Sequence, residues 1–297
     1  MRSKHPAKWL LDFYLFGNFH IAFCAVALTL STKYLFNLQL RHELLVFVFC
    51  GTFFGYNLQR LPSAFDNNIQ RRFLRHHWNT QNRILLTTLS LVAAGAFAWS
   101  YSRLYLRSQI VALVPAALSF AYAFRVVPTK KGWIRLREIP GVKIFVIAIT
   151  WGISCALLPA AAAHVQGHPW FTLPILLWSV VCGLLIFALT VPFDVRDFDY
   201  DVSRLKALPA ILGIQGSINV AIGALFVSAG ITWLILLLHE GTVAEALAYT
   251  LWCVITSFFI YKSTPQRHEY YFSFTIDGLI LVLGAMLLAA HRLSSFF

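Results

Sequence analysis

Nine continuous apolar runs leave this chain little choice of architecture. Each comes close to the roughly 20 residues that carry a helix across a bilayer. They fall at 13–30, 44–61, 84–101, 109–124, 142–159, 171–193, 214–238, 246–261 and 272–290, the fourth and eighth being the shortest. A membrane β-barrel would instead show short segments of alternating polarity, so it is excluded. Only 12% of the residues are charged against 59% hydrophobic, far from the balance of a soluble domain. The expectation is an all-α polytopic membrane protein, a single integral membrane domain over residues 1–297 with nine transmembrane helices. No soluble domain and no long linker is expected. The basic stretch 1–9 leads into an apolar run without a small-residue cleavage site, which reads as an uncleaved first helix.

Lysine and arginine set the topology. The N-terminus and the loops at 62–83, 125–141, 194–213 and 262–271 carry seventeen of the 24. The opposite side carries five (Lys33, Arg41, Arg103, Arg107 and Arg292), while Arg60 and Lys143 lie at helix ends. Nine spans with the N-terminus cytoplasmic and the C-terminus outside follow, in a membrane expected to be a bacterial inner (plasma) membrane. The net charge of +12 is then accounted for by topology and by contact with anionic membrane lipid, and no nucleic-acid partner is expected. All five cysteines lie in apolar runs without metal-binding spacing and read as reduced packing residues. His76 and His77 are adjacent, so on a helix their rings diverge, and they are not a metal site.

Chemistry concentrates at 194–201, which holds four of the twelve acidic residues directly after the sixth run. If the helix continues through them, Asp194, Asp197 and Asp201 fall within roughly 60° of one another. Such a face suits a hard cation such as Mg²⁺, which takes oxygen ligands and bridges to substrate phosphates. A hydrated acidic loop neutralised by Arg196, Arg204 and Lys206 is an equal reading of the spacing. Nearby, Asn57 and Arg60 share a helix face at the same membrane side, where Arg60 needs a carboxylate or phosphate partner or snorkels to the interface. The loop from Tyr122 to Lys143, with Arg125 among its cations, either complements a diphosphate or sets topology. The polar, basic 62–83 loop sets topology and has the makings of a cap over a cytoplasmic opening. Asp277 lies several residues inside the ninth run, where a carboxylate should face the bundle interior. Glu269, Tyr270 and Tyr271, at the same end, read as interfacial anchors.

The residues from Val191 through Asp194, Arg196, Asp197 and Asp199 to Asp201, followed by Ser203, Arg204 and the Leu208, Pro209 to Gly213 stretch, resemble the second aspartate-rich motif of the UbiA-type intramembrane prenyltransferases. Nine helices with a cytoplasmic N-terminus also fit that family, and the resemblance covers essentially the whole chain. It implies a helical bundle around a lipid-accessible apolar tunnel, capped on the cytoplasmic side by two facing acidic motifs. It also implies Mg²⁺, an isoprenoid diphosphate and prenyl transfer to an aromatic or other lipophilic acceptor through an allylic cation. Carried over by position, Asp194, Asp197 and Asp201 are the implied catalytic and metal-binding residues. Asn57, Arg60, Arg125, Lys143, Arg196 and Asp277 are expected to bind substrate. The first motif departs from the family: Asn57 matches, but Leu58, Leu61 and Phe65 occupy its aspartate positions and Asp66 is one residue out of register. A non-catalytic relative that binds a lipid or a partner protein is therefore the alternative. A transporter is disfavoured, since the chain shows no internal repeat and its charges sit at a helix end.

Overall fold

The computed structural model describes residues 6–60, 74–129, 132–163, 170–198, 207–238 and 242–294. Its helices are α1 (Pro6–Phe16), α2 (Phe19–Leu35), α3 (His42–Arg60), α4 (Leu74–Gln81), α5 (Arg83–Arg103) and α6 (Leu106–Ala123). They continue with α7 (Val142–Ala162), α8 (Leu173–Arg196), α9 (Leu208–Leu238), α10 (Val243–Tyr261) and α11 (Tyr271–Ser294). Between α6 and α7 a small antiparallel hairpin pairs β1 (Val127–Thr129) with β2 (Gly132–Ile134).

Seven described helices, α5 to α11, are long and apolar enough to cross a membrane, and the bent pair α1–α2 makes up to eight. The expected count was nine. The difference falls on α3, which forms a helix of 19 residues but carries His42, Glu43, Asn57, Gln59 and Arg60 at its ends. The all-α polytopic class holds, and the chain is an integral membrane protein. In lipid a helix satisfies its own backbone, which is why apolar runs of this length become helices whatever their propensity.

The helices close into a ring in the order α2, α3, α6, α7, α8, α9, α10, α11 and back to α2, with α5 packed on α3. Large side chains on the outer surface, such as Ile84, Leu106 and Leu237, stay exposed as a lipid-facing belt. Between helices in lipid there is little hydrophobic drive, so close packing and hydrogen bonds hold the ring. Trp178 Nε1 donates to Thr32 Oγ1 at 2.7 Å, and Thr32 Oγ1 donates to the Cys155 carbonyl at 2.6 Å. That carbonyl belongs to a π-helical turn, Ile153–Leu157, inside α7. Between α10 and α11, Trp252 Nε1 donates to the Leu279 carbonyl at 2.6 Å. Bonds of this kind contribute about 0.6 kcal/mol each. The five cysteines are buried free thiols, in keeping with a packing role.

Gly152 sets the approach of α7 to α8. A Cβ there would stand 2.6 Å from the Ser179 carbonyl oxygen, a backbone atom that cannot step aside. Gly152→Leu is expected to cost about 1–3 kcal/mol through overpacking, read as a lowered thermal midpoint in detergent.

The run expected as one span at 13–30 is broken. Asn18 adopts a left-handed backbone (φ 71°), and α1 meets α2 at 54°. A side chain at Gly17 would collide with the Phe13 carbonyl, and asparagine is one of the few residues that tolerates the left-handed region. The bend is pinned from α3: Asn18 Nδ2 donates to Asn57 Oδ1 at 2.8 Å, and Asn57 Nδ2 donates to the Phe53 carbonyl at 3.0 Å. Asn57→Leu leaves Asn18 a buried unsatisfied amide. An unfolding titration should show a loss of about 1–3 kcal/mol.

Candidate functional site

Two adjoining cavities lie among the helices of the ring. The polar one, about 200 Å³, is walled by the α1–α2 bend, α4, the start of α7, the end of α8 and the start of α11. The apolar one, about 340 Å³, lies between α3, α6 and α7 and is lined by Phe47, Phe54, Leu58, Phe97, Phe120 and Leu158 among others. Tyr56, Ile147 and Trp151 line both.

The polar cavity is built from side chains that the sequence holds far apart. Lys143 stands in the first turn of α7, where the helix dipole disfavours a cation. Asp194, in the last turn of α8, compensates: Lys143 Nζ donates to Asp194 Oδ1 at 2.9 Å, and the carboxylate is 98% buried. Helix α8 stops at Arg196, and Asp197 caps it, its N–H donating to the Phe193 carbonyl. Arg196 then folds onto Asp197 with two bonds, Nε to Oδ1 at 2.7 Å and Nη2 to Oδ2 at 3.0 Å. Its guanidinium also lies over the Phe193 and Phe272 rings, 5.3 and 5.6 Å from their centroids, a favourable cation–aromatic arrangement.

A third cation enters from α4. Arg75 Nη2 donates to Ser273 Oγ at 2.8 Å, and its backbone N–H donates to Glu269 Oε2 at 3.3 Å. Burial pulls the Arg75 pKa below the usual guanidinium value, and Glu269 opposes that shift. Ser273 lies in the π-helical opening of α11, Tyr271–Ile276, a distortion that recurs at functional sites. Asp277 follows it, lines the cavity and interacts electrostatically with Arg75 and Arg196. Nearby, the Tyr270 hydroxyl donates to Asp12 and its ring stacks on Phe16, which ties α1 to the start of α11. Burial and the Asp12 carboxylate push the Tyr270 phenol above its usual pKa.

Among the described residues, Arg75, Lys143, Arg196, Asp197 and Asp277 are the charged side chains that line this cavity. No described group of three His, Cys, Asp or Glu side chains is placed to hold a metal ion. Asp194 and Asp197 are each engaged by a basic side chain, and Asp201 lies outside the described residues. The described donors therefore do not form the three-carboxylate set that Mg²⁺ was expected to use.

No family sequence model and no curated protein sequence matches this chain. Its fold does match solved structures. A UbiA homologue from Archaeoglobus fulgidus bound to GPP and Mg²⁺ superposes with a TM-score of 0.66 at 10% identity, over 95% of this chain and 99% of that one. A UbiA homologue from Aeropyrum pernix K1 in its apo form gives 0.64 at 12% identity, over 94% and 98%. Digeranylgeranylglyceryl phosphate synthase gives 0.58 at 14% identity, over 97% and 98%. The fold is UbiA-type.

Within this UbiA-type fold the expected site residues separate into three groups. Lys143, Arg196, Asp197 and Asp277 converge on the polar cavity, with Asp194 behind Lys143. Asn57 and Arg125 do not: Asn57 turns its amide to the α1–α2 bend, and Arg125 is exposed and lines neither cavity. Asp201 and the Arg60 side chain lie outside the described residues, as do Leu61, Phe65 and Asp66. The helical spacing expected for 194–201 does not run past Arg196, because Asp197 is a cap rather than a further helical position. Leu58, where the first acidic motif would begin its carboxylates, lines the apolar cavity. Arg75 belongs to the 62–83 stretch, which the sequence reads only as a topology-setting loop or cap, and its partner Glu269 lies 194 residues away, so no local signal marks it.

Proposed function

We propose that this chain binds an isoprenoid diphosphate, with its head in the polar cavity and its prenyl chain in the apolar one, and transfers the prenyl group to an aromatic or other lipophilic acceptor. The observation that carries this reading is the junction of a cavity walled by Arg75, Lys143 and Arg196 with an apolar cavity through Tyr56, Ile147 and Trp151. An amphiphile with an anionic head and a hydrocarbon tail complements that pair. The compared structures bound to GPP or DMAPP with Mg²⁺ support the substrate class. The arrangement faces the cytoplasm of a bacterial inner membrane, following the lysine and arginine bias.

In the transfer, the C1–O bond of the allylic diphosphate breaks and its electron pair leaves with the diphosphate. The acceptor attacks the allylic cation and then loses a proton. Basic groups aimed at the departing oxygens stabilise charge that develops only in the transition state. Asp194 and Asp197 position Lys143 and Arg196 for this, while Tyr56 and Trp151 stand where the carbocation forms and supply π-electron density. The described carboxylates do not gather to hold Mg²⁺.

A second reading, binding without turnover, is favoured by one observation: Asp197 has both oxygens engaged by Arg196 while Leu58 replaces a carboxylate. Purified protein in lipid nanodiscs, incubated with geranyl diphosphate and a panel of aromatic acceptors, separates the two. Release of diphosphate with a prenylated product supports transfer. Binding without release across the panel selects the second reading, and no binding at all removes both.

A further inference from the structure

Among the described residues, three carboxylates at the polar cavity each meet an internal cation, and a fourth, Asp277, interacts electrostatically with Arg75 and Arg196. Asp194 holds Lys143 at 2.9 Å, Asp197 holds Arg196 through two bonds, and Glu269 lies 3.6 Å from Arg75 Nε. A magnesium ion demands near-ideal octahedral oxygen ligation and binds through one or two carboxylates together with substrate phosphates. To recruit Asp194 or Asp197 it would have to displace the basic side chain already bonded there. Removing one member of a buried pair leaves the other charge uncompensated, which is the costly half of any such exchange.

The opposite wall does not help a metal either. Leu58 lines the apolar cavity, and Asn57 spends its amide on Asn18 and the Phe53 carbonyl. Where a second carboxylate motif would face the first across the cavity, the described wall presents Arg75 instead, half-buried and anchored on Ser273. Among the described residues, the charged side chains lining the cavity are Arg75, Lys143, Arg196, Asp197 and Asp277, with Asp194 and Glu269 paired behind Lys143 and Arg75. A divalent cation meets carboxylates already engaged by basic side chains, whereas an anionic head meets N–H donors. Arginine and lysine bond phosphate oxygens through charge-assisted hydrogen bonds, the strongest available to a protein without a metal.

We infer that the diphosphate head is held directly by Arg75, Lys143 and Arg196, and that binding does not require a divalent metal ion. This deepens the isoprenoid-diphosphate reading and rests on it. The carboxylates serve to orient the three cations, and Glu269 and Ser273 serve the same end for Arg75.

The test uses the full-length protein in nanodiscs, with geranyl diphosphate titrated by calorimetry in two buffers, one with excess EDTA and one with excess Mg²⁺. The expected result is a dissociation constant that differs by less than about threefold between the buffers. Arg75→Gln and Lys143→Met, each verified as folded by thermal unfolding, should weaken binding at least about tenfold in both buffers. Binding that appears only with Mg²⁺ overturns the inference and leaves the substrate reading intact. Binding in neither buffer overturns the substrate reading and the inference with it. The wild-type comparison decides the matter even if a variant fails to fold.

Discussion

Lys143→Met should be the most damaging single substitution at the site, and it should act twice. First, it leaves Asp194 without its partner. The carboxylate keeps only 3% of its side chain exposed, and removing one member of a buried pair costs about 3–5 kcal/mol. The lower end, about 3 kcal/mol, is expected because Lys143 itself keeps 29% of its side chain in contact with solvent. Second, it removes a donor from the polar cavity, so affinity for geranyl diphosphate should fall at least about tenfold. The two effects separate in the double variant Lys143→Met with Asp194→Leu. Thermal unfolding in detergent should show most of the lost stability restored, because no unpaired charge remains, while calorimetry should show binding still lost. Recovery of binding in the double variant would mean that Lys143 only neutralises Asp194 and does not touch the ligand.

Gly55→Trp should produce the largest change in what the apolar cavity accepts. Gly55 lines that cavity, and a Cβ built on it meets nothing within 4 Å. A larger side chain therefore grows into the void rather than into packed neighbours, and the helix gains by losing a glycine from its interior. Stability should hold or rise. Affinity for prenyl diphosphates should fall, more steeply for longer chains, whereas inorganic diphosphate should bind as it does to the unmodified protein. A competition assay over a series of chain lengths reads both. Equal losses for short and long chains would place the tail elsewhere.

The sequence announced the membrane helices plainly, because lipid allows no unpaired backbone and so imposes long apolar runs. It did not announce the break between α1 and α2. That bend rests on one left-handed asparagine and a glycine too crowded for a side chain, two residues that leave an apolar run looking uninterrupted. The acidic stretch was equally visible, but its meaning was not. Periodicity placed Asp194 and Asp197 on one helical face. Their partners reversed that geometry: Lys143, 51 residues away, draws Asp194 inward, and the helix end at Arg196 turns Asp197 into a cap. Asn57 matched a motif position by residue type and serves the backbone bend instead. Arg75 carried no local mark at all. Its placement depends on α4 lying against the π-helical start of α11, a contact between residues 198 apart in sequence.

Photolabelling reads out which of the two joined cavities holds the prenyl tail. A geranyl diphosphate analogue with a photoreactive group at the tail end would be bound to the protein in nanodiscs, irradiated and mapped by mass spectrometry. Adducts are predicted on the apolar cavity lining, at Phe54, Gly55, Phe97, Ala112 or Leu158, and excess geranyl diphosphate should abolish them. Labelling confined to lipid-facing residues such as Ile84 and Leu237, and unaffected by that competitor, would put the tail outside the apolar cavity.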